Sequence, residues 1–152
     1  MQLSPNFSLG QLVYSETAEQ EGIDNTPPPE VVENLRRLAA GLEDVRALLG
    51  ASLQISSGYR CAALNEAVGG SSTSQHMQGL AVDFECPEFG SPLEVARAIQ
   101  GSGLEFDQCI LEYGRWVHLS FGDAPRRRVL TIYDDDKGYV AGLWDEQGKL
   151  IA

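Results

Sequence analysis

The sequence predicts an α+β fold in one domain, residues 1–152, with helices packed on a small antiparallel sheet. Three observations predict it. A long stretch from Glu30 to about Leu49 carries apolar residues at three- and four-residue steps. Later segments alternate apolar and polar residues and are joined by short polar loops. The helical patterns come mostly first and the strand patterns mostly last, an order that favours α+β over alternating β-α units.

The elements follow in chain order. Residues 5–12, opening with Asn6-Phe7-Ser8-Leu9, read as a short docking segment. Asn25-Thr26-Pro27-Pro28-Pro29 is a rigid break. In the helix after it, Val31, Leu35, Leu38, Leu42, Val45 and Leu49 share one face. Thr26 is its expected cap, the prolines fill its first turn and Gly50 ends it. Leu53-Gln54-Ile55-Ser56 alternates as a short strand, and Ala62 to Val68 reads as a short helix stopped by Gly69-Gly70. A polar loop, residues 71–75, leads to a strand over Leu80–Phe84, and a helix is expected from Pro92 to about Gly101. Gln108–Glu112 and Trp116–Phe121 form a hairpin around the loop Tyr113-Gly114-Arg115. Val129–Tyr133 and Tyr139–Trp144 form a last hairpin around Asp135, Asp136 and Gly138.

Composition narrows the function. An apolar share of 43% and a charged share of 22% are ordinary for a globular domain. No apolar run approaches the roughly 18 residues that span a bilayer. Met1 to Asn6 lacks the charged and apolar regions of a signal peptide. The chain is therefore expected to be made in the cytoplasm, to act as a monomer, and to reach any outside target only after release or delivery. The net charge of −11 argues against nucleic acid as a partner, since phosphate binding needs a basic surface. Three cysteines, Cys61, Cys86 and Cys109, make no disulfide framework and no CxxC pair.

Histidine usage carries the chemistry. The chain has only two, His76 and His118. The first lies in Ser74-Gln75-His76-Met77-Gln78-Gly79-Leu80-Ala81-Val82-Asp83, the pattern S-x-H-x-x-G-x-A-x-D. Asp83 sits in an apolar strand, where a carboxylate is costly to bury without a cation or donors. Gly79 lets the chain turn between the two residues, and Ala81 leaves space beside them. The second histidine lies in Trp116-Val117-His118-Leu119-Ser120-Phe121. Alternation puts Val117, Leu119 and Phe121 toward the core, and Trp116, His118 and Ser120 toward a cleft. Two histidines and one carboxylate make a three-ligand set with the fourth position open, the pattern of catalytic zinc.

These motifs, with Ser57-Gly58-Tyr59-Arg60 upstream, resemble the zinc D-Ala-D-Ala carboxypeptidase and L-Ala-D-Glu endopeptidase family. That family shares its fold with the hedgehog signalling domain and includes short members found as bacteriophage endolysins. The resemblance runs from about Phe7 to Ile132. It implies a Zn2+ cofactor held by His76, Asp83 and His118, and a peptide of bacterial peptidoglycan as substrate. It further implies that Arg60 contacts that substrate and that Ser74 lies near it. A guanidinium there suits the negative charge that builds on a scissile carbonyl oxygen or rests on a terminal carboxylate. Trp116 is expected as cleft wall.

One position departs from the family. An acidic general base is usual three residues before the second histidine, and here that residue is Arg115. The hairpin offers a substitute. With residues 113–115 as its loop, Glu112 pairs with Trp116 and Ile110 with His118. Glu112 and His118 then share a face as diagonal neighbours, about 7–8 Å apart. Glu112 is therefore the expected general base, on condition of this register, since a one-residue slip turns it away. Arg126-Arg127-Arg128 reads as a solvated charge run, and Asp134-Asp135-Asp136 as an exposed turn without the spaced ligands of a calcium loop. The expectation is a zinc-dependent peptidase of peptidoglycan stems; the alternative is a catalytically inactive zinc-containing module that binds the wall or builds a phage particle.

Overall fold

The computed structural model describes residues 1–152. The chain folds as β1 (Gln2–Ser4), β2 (Phe7–Ser8), α1 (Leu9–Val13), α2 (Glu16–Glu21), α3 (Pro29–Leu49), β3 (Gln54–Ser57), α4 (Ala62–Ala67), a 3-10 turn (Gln75–Gln78), β4 (Ala81–Glu85), α5 (Pro92–Gln100), β5 (Gln108–Glu112), β6 (Trp116–Ser120), β7 (Arg128–Ile132) and β8 (Val140–Ala141). The architecture is the α+β arrangement read from the sequence, helices against a sheet.

The sheet has six strands in the order β3-β4-β6-β5-β7-β8. Every pairing is antiparallel except β5 with β7. That exception follows from chain length. The last residue of β6, Ser120, pairs with the first of β5, Gln108. The short connection through residues 121–127 reaches only that end of the sheet, so β7 starts beside the start of β5 and runs with it. Arg128 is accordingly in register with Gln108, and Leu130 with Ile110.

One face of the sheet is the core. Val82, Phe84, Cys109, Leu111, Val117 and Leu119 pack there against Leu35, Leu38, Leu42 and Val45 of α3 and Val95, Ala96 and Ile99 of α5. The six α3 positions predicted to share a face are all buried. Gly50 closes α3 as expected. Thr26, the expected cap, does not cap it. Pro28 stands at that position with no side-chain bond, and the Thr26 hydroxyl donates instead to Asp24. A proline-filled first turn has few free N–H groups, so the loss is small. α5 begins at Ser91, which forms a reciprocal capping box with Glu94.

The docking segment proves to be a two-stranded ribbon, β1–β2, followed by α1. Glu43 of α3 ties the ribbon down, accepting from Ser4 Oγ at 2.6 Å and from the Asn6 amide groups at 2.7 Å. The last hairpin pairs Leu130 with Ala141 and Thr131 with Val140, and is shorter than its pattern. Trp144 leaves it to bridge Leu150. Cys61, Cys86 and Cys109 are free thiols, and no helix is long and apolar enough to cross a membrane.

Candidate metal centre

The sheet face opposite the core floors a cleft of about 850 Å³, a size that suits a small ligand. β4 and β6 bring the first two groups together there, because Asp83 pairs directly with His118. Their Oδ1 and Nδ1 atoms lie 3.0 Å apart. His76 arrives from the 3-10 turn. The Ser74 hydroxyl accepts its backbone N–H at 3.1 Å, and Gly79 ends the turn at φ 72°. A side chain at Gly79 would also meet Val31 Cγ1 at 2.8 Å. The turn can therefore close against α3 only with glycine there. The three ligand atoms of His76, Asp83 and His118 all fall within 4.8 Å of one another.

Their hydrogen bonding fits a cation. His76 Nδ1 lies 2.7 Å from the Gly58 carbonyl oxygen. A carbonyl only accepts, so Nδ1 carries the ring hydrogen and Nε2 presents a lone pair. That lone pair faces Asp83 Oδ1 at 3.3 Å. Backbone orientation of the far ring nitrogen is the usual support of a metal-bound histidine. Burial pushes the Asp83 carboxyl up, and the two imidazoles outweigh this and hold it well below the ordinary carboxylate range. His76 and His118 are both buried, so the group is shielded from water on all sides but the cleft.

The same loop that orients His76 supplies the arginine. Gly58 is the carbonyl partner of His76, and the Arg60 N–H donates to the His76 carbonyl at 3.0 Å. Gly58 has no room for a side chain, since a Cβ would stand 2.2 Å from the Leu12 carbonyl oxygen. Arg60 is half-buried and lines the cleft. Its Nη1 donates to Asn65 Oδ1 at 3.1 Å. Burial lowers its pKa, and the charges of Asp83 and Glu112 oppose that.

Glu112 lies where the hairpin register put it. Glu112 pairs with Trp116 and Ile110 with His118, so Glu112 shares the cleft face with the histidine. Burial first, then the Asp83 charge, raises its pKa, against the opposing pull of His118, a hydrogen bond from Trp116 and the charge of Arg60. Arg115 is exposed at the hairpin tip and does not line the cleft. Ser74 and Trp116 do line it. Ser74 caps the turn that carries His76, the Trp116 indole N–H faces the Glu112 carboxylate, and Arg60 Nε is buried without a hydrogen-bond partner.

Other groups escaped the sequence reading. Buried Asn65 holds Arg60 and donates to the Ser71 carbonyl at 2.9 Å. Asn25 donates to the Val13 and Tyr59 carbonyls and accepts from the Cys61 N–H, fixing both sides of Arg60. Asp107 receives Gln75 Nε2 at 2.9 Å and Arg126 Nε at 2.6 Å, bracing the residue before His76. Tyr14 and Tyr139 stand exposed on the cleft wall. An asparagine with no apolar periodicity around it gives no signal of what it will hold, and the Gly58 carbonyl is invisible to side-chain patterns.

A family model described as Peptidase M15 matches residues 5–120, which include all of the groups gathered around His76, Asp83 and His118. No curated protein matches the chain.

Proposed function

The chain belongs to the peptidase M15 family of zinc-dependent peptidases, and from that membership we propose that it hydrolyses peptide bonds in the stem peptides of bacterial peptidoglycan, as a D-Ala-D-Ala carboxypeptidase or an endopeptidase. The observation that carries the reading is the convergence of His76, Asp83 and His118, within 4.8 Å, on the floor of an open cleft.

In this reading His76 Nε2, His118 Nδ1 and the Asp83 carboxylate hold Zn2+. When bound there, zinc supplies Lewis acidity toward a carbonyl oxygen and makes a water a better nucleophile at neutral pH. Glu112 accepts the proton of the attacking water and returns it to the leaving amine nitrogen. Its place on the cleft face, diagonal to His118 across the hairpin, puts its carboxylate in position for both duties. Arg60 sets a guanidinium against the developing oxyanion or a substrate carboxylate. Ser74 and Trp116 shape the wall that receives the peptide. The unpartnered Nε–H of Arg60 favours a ligand with an acceptor atom, since a buried donor left alone costs free energy.

The test is mass spectrometry of purified peptidoglycan fragments after incubation with the protein, with zinc, with a chelator, and with zinc restored. New products that vanish with the chelator and return with zinc establish the hydrolase, and their mass differences name the bond. The placement of Arg115 where relatives carry an acid favours a second reading, an inactive zinc-holding module that binds the wall or builds a phage particle. Retained zinc with no products selects it.

A further inference from the structure

The triplet Arg126-Arg127-Arg128 does not behave as one solvated run. Arg126 is paired with Asp107 through Nε and Nη2, at 2.6 and 3.0 Å. Arg127 donates to the carbonyls of Leu104 and Ser102 and stacks its guanidinium 4.8 Å from the centre of the Phe106 ring. Its backbone takes φ 51°, which turns the chain so that the third arginine leaves in another direction. Arg128 has no ion pair and no side-chain hydrogen bond, is exposed, and lines the cleft. It also lies beyond residues 5–120, outside the part of the chain that the family model matches.

Register fixes its distance from the metal centre. On the cleft face, His118 pairs with Ile110, Ile110 with Leu130, and Arg128 stands one pleat further along β7. Two strand spacings and two residues of rise separate Arg128 from His118 by roughly 12 Å between α-carbons. Ile110 and Leu130 floor the span between them, and both line the cleft. Arg60 sits on the other side, in the loop after β3, and is already held by Asn65. The cleft thus runs from one anchored cation, past the metal centre, over an apolar floor, to one free cation. In a chain with 22 acidic and 11 basic side chains, a free arginine facing the cleft sets the local field against the overall one.

We propose that Arg128 is a carboxylate-recognition residue of this cleft and selects peptides that carry a free carboxylate on the side of the scissile bond away from Arg60. An extended peptide advances about 3.3 Å per residue, and the reach of the arginine itself shortens the span, so the carboxylate lies about two or three residues from the scissile carbonyl. A guanidinium fork matches a carboxylate in two parallel hydrogen bonds, and an amide in its place offers a single acceptor and no charge. Stem peptides present such groups, the α-carboxylate left free by a γ-linked glutamate and the second carboxylate of a diamino acid, and either is masked by amidation. The inference rests on the stem-peptide reading above.

The experiment compares a synthetic stem pentapeptide with two partners, one amidated at the γ-linked glutamate and one at the diamino acid. kcat/KM is measured for each with the zinc-loaded full chain, its Arg128→Gln variant and its Arg128→Lys variant. The expected result is a preference of about tenfold or more for the free acid at one of the two positions. In Arg128→Gln the ratio of acid to amide falls close to one, and in Arg128→Lys part of it survives. No preference in the wild-type chain, or an unchanged ratio in Arg128→Gln, overturns the proposal. If none of the peptides is cut, the peptidase reading fails by itself. Calorimetric binding of the same peptides then decides Arg128. Tighter binding of the acid that Arg128→Gln abolishes upholds the role, and equal affinity for acid and amide removes it.

Discussion

Single residues divide into those that hold the reaction centre and those that hold the holders. Glu112 belongs to the first kind in the proposed mechanism. Glu112→Gln keeps the shape and removes the base, so hydrolysis should fall by about 10²- to 10⁴-fold. Zinc content, measured by elemental analysis, should be unchanged, because Glu112 lies outside the group that converges within 4.8 Å. Unchanged turnover would remove the assignment. Asn65 belongs to the second kind. It touches Arg60 and the Ser71 carbonyl and no atom of the metal group. Asn65→Ala leaves a half-buried guanidinium short of an acceptor, a loss of about 1–3 kcal/mol. Peptide kcat/KM should fall with zinc affinity intact, and Asn65→Asp, which keeps the acceptor for Arg60 but loses the donor to the Ser71 carbonyl, should restore only part of it. The residues of the first kind were legible, because histidine is scarce in this chain and each one sits in a motif. Those of the second kind were not, since Asn25 and Asn65 work through backbone contacts that no side-chain pattern announces.

At the scale of elements, the hairpin β5–β6 and the turn before β4 decide the geometry. The register of the hairpin was readable in advance because its three-residue loop and its apolar alternation agree, and a slip would put Leu111 and Val117 into water. The turn was read as a loop, and its 3-10 form was missed, though the need for glycine at its end was seen. Gly79→Ala tests that need. A non-glycine residue in left-handed backbone costs about 1–2 kcal/mol, and the methyl would also overlap Val31. The melting temperature should drop and zinc affinity should weaken together, because displacing the turn displaces His76. A lower melting temperature with full zinc affinity would show that the turn does not position the ligand. The first helices escaped notice for a physical reason. α1 has five residues, and the six of α2 bury only Ala18, so neither is long enough to display a period. The parallel pairing of β7 was hidden as well, because it depends on which sheet end a short connection can reach.

At the scale of the molecule, the cleft is assembled from both ends of the chain. Tyr14 comes from its beginning, Arg60 and His76 from its middle, and Arg128 and Tyr139 from its last third. Asp107 is one of the joints, linking the start of β5 to Gln75 and Arg126. Hydrogen bonds from Arg126 hold its carboxyl below the ordinary range, against the push of burial. A carboxyl with a lowered folded-state pKa stabilises the protein above its unfolded pKa, and that stability is lost as pH falls through the folded one. Arg126 is half exposed, so solvent screens the pair and its contribution is small. Wild type and Asp107→Asn should therefore differ most in melting temperature near neutral pH and converge as pH falls below about 4. A gap that persists in acid would contradict the ion-pair origin.

The central claim is that one zinc, held by His76, Asp83 and His118, makes this chain a peptidase. Titrating zinc into metal-free protein while following release of peptide fragments from purified peptidoglycan tests it most directly. The account predicts that release rises with added zinc and levels off at one zinc per chain, and that Asp83→Ala abolishes the rise. Release that ignores zinc, or zinc bound at one per chain with no release, would contradict it.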